Sequence, residues 1–137
     1  MVRMIVDFLY HLFYRIYWWN IKVIKDSGTP IYMTFLGTIF LFVMNINSLF
    51  FTFCLIKYGS TSQLPGFIYW INISVVILTN ILIYFRRKKY KYLTTKYIKS
   101  LNERQIKSRD LAVIVYFILS FFIYFIIIVM VDNANNG

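Results

Sequence analysis

The sequence predicts an all-α integral membrane protein: three transmembrane helices preceded by an N-terminal interfacial amphipathic helix. Three observations carry this expectation. The 137-residue chain is 60% hydrophobic and only 15% charged, more apolar surface than a water-soluble domain of that length can hide. The apolar residues gather into runs of about 20, the length that crosses a bilayer. The net charge of +10 is concentrated in two short segments beside those runs. The whole of 1–137 reads as a single membrane domain.

The first element is the interfacial helix, residues 1–26. Its polar residues Arg3, Asp7, His11, Arg15, Lys22 and Lys25 recur at helical intervals and fall on one narrow face. Phe8, Leu9, Leu12, Phe13, Ile16, Trp19 and Ile24 occupy the rest. Such a helix lies in the membrane interface, with Trp18 and Trp19 at headgroup depth. Its wide apolar face also suits partial burial against the spans. A fourth span is the competing reading, but Arg15 would lie near its centre, where a charge costs about 2.5–3.5 kcal/mol. The segment does not read as a cleaved signal peptide: Asp7, His11 and Arg15 interrupt the apolar run, and no small-x-small pattern follows.

The stretch "DSGTP" then forms a corner. Gly28 is suited to ending one helix, Thr29 to capping the next, and Pro30 to its first position. The first span follows, residues 31–56, roughly 39 Å of helix, enough to cross with tilt. Lys57 and a short polar loop separate it from the second span, 67–85, which Pro65 introduces. A basic cytoplasmic helix or loop occupies 86–107. The third span is 111–131, with Asp110 or Ser108 expected as its N-cap. The tail "DNANNG" is expected to fray.

Charge predicts the orientation. Of the fifteen Lys and Arg residues, ten lie between Arg86 and Asp110. Arg3, Arg15, Lys22 and Lys25 precede the first span, and Lys57 alone occupies the first loop. Three spans place the N-terminal helix and the basic segment on one side. Positive charge favours the cytoplasmic side, so the N-terminus is expected inside and the C-terminus outside.

Orientation needs fewer charges than this. Within the basic segment, Tyr90, Leu93, Tyr97 and Leu101 share one helical face, so the second span is expected to continue as a basic amphipathic helix with a turn near Asn102. Arg86, Arg87, Lys88, Lys89, Lys91, Lys96 and Lys99 are the candidate contacts to anionic lipid headgroups, each gaining about 1 kcal/mol near an anionic leaflet, or to a cytosolic partner. Nucleic acid is a weaker candidate, since no nucleic-acid fold surrounds these lysines.

Nothing here points to catalysis, a cofactor or a metal. The five acids are Asp7, Asp26, Glu103, Asp110 and Asp132; none falls inside an expected span, and none pairs with another. Asp7, His11 and Arg15 can touch along a helix, a pattern compatible with pH sensing but more simply a solvated polar stripe. Cys54 is the single cysteine and reads as a small core residue. Inside the membrane, the first span places Thr34, Gly37, Thr38, Asn45, Ser48 and Thr52 on one face, with Asn47 elsewhere. Asn72 and Thr79 share a face of the second span, with Asn80 nearby. Tyr116, Ser120 and Tyr124 form a row on the third. Lipid has no use for such groups. They pack and hydrogen-bond helices at about 0.6–2 kcal/mol per contact, within one chain, in a homo-oligomer or with a partner span. A pore lined by Thr38, Asn45 and Thr52 is the alternative and needs several subunits.

The "FYRIY" segment (Phe13 to Tyr17), the "DSGTP" corner and "YKYLTTKYIKS" resemble short, uncharacterised bacterial inner-membrane proteins that begin with an aromatic amphipathic helix. The resemblance implies location in the bacterial inner membrane and no particular activity. The leading functional expectation is a non-enzymatic small membrane subunit. It would anchor or regulate a partner complex through its intramembrane polar stripes and basic cytoplasmic segment. A homo-oligomeric pore or membrane-perturbing effector is the alternative.

Overall fold

A computed structural model of the chain describes residues 1–25, 28–62 and 64–136. The described residues form helices and short connections, with no strand among them. Helix α1 spans Val2–Lys22, α2 Pro30–Tyr58, α3 Phe67–Asn80, α4 Lys89–Thr95 and α5 Glu103–Asn136. Three segments are long and apolar enough to cross a membrane: Pro30–Tyr58, Phe67–Thr95 and Glu103–Asn136. Helix α1 is not one of them.

Helix α1 joins two clusters of buried side chains. Leu12 packs with Leu41, Met44 and Val113. The next residue, Phe13, packs with Tyr84, Leu93 and Tyr97. Neighbouring positions on a helix point about 100° apart, so one helix fills both sites. Along α2 the contacts run antiparallel: the Asn20 amide meets Thr34, and Ile16 Cγ2 lies 3.2 Å from where a Cβ on Gly37 would stand. Gly37 thus sets how closely the two helices approach.

Helix boundaries follow local chemistry. Helix α1 ends at Lys22, and Lys25 takes a positive φ of 58°. Asp26 and Ser27 of the expected corner lie outside the described residues. Pro30 opens α2, and Gly59 closes it at φ 70°, with its N–H bonded to Leu55 O; a left-handed glycine is the usual C-terminal stop. Helix α5 starts at Glu103, well before the expected N-cap. The reason is a reciprocal cap at Asn102. Its Oδ1 accepts from the Gln105 N–H at 2.8 Å, and its own N–H donates to Gln105 Oε1 at 3.1 Å. Ser108, Arg109 and Asp110 therefore lie on the helix itself. The expected frayed tail is helical to Asn136, and Asn135 bonds the first loop through Thr61 at 2.9 and 3.2 Å.

The second apolar segment does not run straight into the basic region. Asn80 Nδ2 donates to Val76 O at 2.9 Å, competing with the backbone ladder. A π-turn over Ile81–Phe85 follows. The chain then breaks: Arg87 and Lys88 take left-handed φ values of 56° and 54°. Each costs roughly 1–2 kcal/mol for a residue with a side chain. The break redirects the chain so that α4 packs on α1, burying Leu93 and Tyr97 against Phe13. A continuous helix would carry those residues away from α1.

Candidate functional site

The four-residue spacing of Asp7, His11 and Arg15 places them along one side of α1. They meet Arg109 and Asp110, which the early start of α5 puts at that level. Arg15 forms a two-pronged ion pair with Asp110, Nε to Oδ1 at 2.6 Å and Nη2 to Oδ2 at 2.7 Å, the strongest geometry for this pairing. His11 Nε2 lies 2.6 Å from the same Oδ1. Arg109 donates to Tyr97 Oη at 2.7 Å and to Asp7 at 3.3 Å. Tyr97 Oη also lies 3.3 Å from His11 Nδ1. Arg15 rests against the rings of Tyr14 and Trp18 at 5.4 and 5.5 Å.

This corrects the reading of a solvated polar stripe. His11 has no exposed surface, and Arg15 and Asp110 are about a quarter and a third exposed, at 25% and 30%. Burial pushes the His11 pKa below its ordinary value, although Asp110 pulls the other way. With His11 neutral, two acids face two guanidiniums and the cluster carries no net charge. Three helical segments are tied by it: α1, α5 and the turn after α4.

The small and polar residues of α2 are engaged inside the chain. Thr34 is fully buried; its hydroxyl donates to Pro30 O at 2.6 Å and accepts from Asn20 at 3.1 Å. Thr38, also fully buried, donates to Phe35 O at 2.8 Å. Asn45 donates to the Tyr116 hydroxyl of α5. Ser48 and Thr52 bond back to Met44 O and Ser48 O at 3.0 and 2.7 Å. Asn72 of α3 donates to Asn47 Oδ1 at 2.6 Å, so the residue that stands off the α2 stripe is the one that reaches α3. Thr79 is exposed and bonds back to Val75 O at 2.8 Å. Of the three residues named for a pore, Thr38 is fully buried, and Asn45 and Thr52 are half-buried with partners inside the chain.

The basic segment divides in two. Its apolar residues Tyr90, Leu93, Tyr97 and Leu101 are packed into the cluster around Phe13, although the expected continuous helix stops at Thr95 and only Tyr90 and Leu93 lie on it. Arg86, Arg87, Lys88, Lys91, Lys96 and Lys99 are exposed. Lys89 is half-buried, its ammonium over the rings of Tyr10 and Tyr92 at 4.9 and 4.8 Å. The cations are thus displayed on a packed platform. Comparison with protein-family models, with curated proteins and with solved structures gives no match.

Proposed function

We propose that this chain is a non-enzymatic subunit of the bacterial inner membrane that docks a partner complex through the basic face of 86–107. One observation carries the reading: Leu93 and Tyr97, at 0% and 4% exposure, hold that segment against α1 while its cations point outward. Orienting a membrane protein requires positive charge but no fixed shape. A packed platform with two strained residues at Arg87 and Lys88 exceeds that need, and it suits recognition of an acidic partner or an anionic leaflet. The charge distribution supports an inside N-terminus and an outside C-terminus. The three helices long and apolar enough to cross a membrane support a multi-pass membrane location.

The test is gentle extraction from the host membrane followed by native mass spectrometry. The expected result is a stable complex with a second, different protein. That complex is lost in the Lys96→Glu, Lys99→Glu, Lys107→Glu variant, while topology is unchanged. A ring of identical copies that survives the charge reversal would reject the docking role and favour a pore.

A further inference from the structure

Between the second half of α1, the start of α2 and α5 lies a groove of about 670 Å³. Its walls are apolar, from Trp18, Trp19, Phe40, Ile114, Phe117 and Phe121, and among the described residues its charged lining is Arg15 and Asp110. These two lie at one end, because Asp110 immediately precedes the apolar run that begins at Leu111. From Asp110 to Phe121 is about 16 Å of helix, close to half of the roughly 30 Å hydrocarbon thickness. The groove therefore has the depth of one leaflet, with tryptophans of the kind that settle at headgroup level beside its charged end.

Arg15 and Asp110 line the groove and retain hydrogen-bonding capacity. Arg15 uses Nε and Nη2 on Asp110, so Nη1 remains to donate. Asp110 Oδ2 accepts one bond, from Arg15, and a carboxylate oxygen can accept two. The mouth is thus a donor and an acceptor side by side in a neutral pair. An anionic headgroup complements only the donor and meets the Asp110 charge. A headgroup with both a phosphate and a primary ammonium complements both.

We infer that the groove binds one phospholipid with a zwitterionic, primary-amine headgroup, of the phosphatidylethanolamine class. Its phosphate accepts from Arg15, its ammonium donates to Asp110, and one acyl chain lies along α5. The site is separate from the basic platform, whose charge favours anionic lipid.

Tryptophan quenching tests this. In a Trp70→Phe background, Trp18 and Trp19 at the groove are the remaining reporters. The protein is reconstituted in phosphatidylcholine vesicles with a minor fraction of lipid carrying brominated chains. That lipid has a phosphatidylethanolamine, phosphatidylglycerol or phosphatidylcholine headgroup. The expected result is quenching by the ethanolamine lipid with an apparent affinity at least about threefold above the other two. Ile114→Phe together with Ile118→Phe, which fills the groove from positions already exposed on α5, should abolish the difference. Equal quenching by all three headgroups, a preference for phosphatidylglycerol, or a preference that survives the filled groove would each overturn the inference.

Discussion

Asp110 is the residue on which the polar cluster converges. It accepts from Arg15 twice and sits within 2.6 Å of His11. Asp110→Asn keeps the shape and removes the charge, leaving a guanidinium without its counter-ion in a mostly buried setting. Hydrogen bonds to charged groups contribute about 1.5–3 kcal/mol, so the variant should lose stability by that amount in a detergent thermal melt. A double-mutant cycle with Arg15→Gln should return most of the loss as coupling. Additive losses would show that the two residues act independently. The sequence placed the α1 members of this cluster on one face, and that much was legible from four-residue spacing. Their burial was not. A stripe of Asp, His and Arg is solvated unless opposite charges reach it, and the acids and bases that do so, Arg109 and Asp110, lie about 100 positions away along the chain. The adjacent pair "RD" at the foot of an apolar run was the available signal.

At the level of elements, the basic segment shows what periodicity conveys and what it omits. Tyr90, Leu93, Tyr97 and Leu101 do pack in one cluster, but not as one helical face: the helix ends at Thr95, and Tyr97 and Leu101 reach the cluster from the turn beyond it. The straight continuation of the second span does not occur, because the chain turns at Arg87 and Lys88. No glycine or proline marks the turn; burial of Leu93 and Tyr97 against α1 supports two left-handed residues that local preference opposes. Leu93→Ala should therefore cost about 2–5 kcal/mol of local packing, felt first where α4 meets α1. Limited trypsin digestion should cut after Lys91, Lys96 or Lys99 markedly faster than in the native chain, with the three apolar segments still inserted. An unchanged cleavage rate would mean that α4 is held by something other than this contact. The start of α5 carries a similar lesson: the Asn102–Gln105 cap is readable as a motif, yet the hydropathy edge at Leu111 draws attention away from it.

Across the whole molecule, α1 is the common neighbour. It contributes Leu12 to one core cluster, Phe13 to the other, and three residues to the polar cluster. The polar side chains of the apolar helices serve the same internal purpose, with Asn45 reaching α5 and Asn72 reaching Asn47. The three apolar segments were legible in composition alone, since about 20 consecutive apolar residues leave few other solutions. How they close around α1 was not, because lipid-facing and protein-facing positions share the same apolar residues. The architecture leaves the basic platform and the polar loop around Ser60 at opposite ends of the first two apolar segments, and the proposed orientation puts the platform on the inner side.

That arrangement is open to a direct measurement. Cys54 is buried and is the only cysteine, so a Cys54→Ser background allows single cysteines to be placed at Lys99, Ser60 and Asn133. Each is labelled with a membrane-impermeant maleimide, in intact cells with the outer barrier opened and in inverted inner-membrane vesicles. The account predicts that Lys99→Cys reacts only in inverted vesicles, and that Ser60→Cys and Asn133→Cys react only from outside. Labelling of Lys99→Cys from outside, or of Asn133→Cys from the same side as Lys99→Cys, would contradict the three-span arrangement and the docking role built on it.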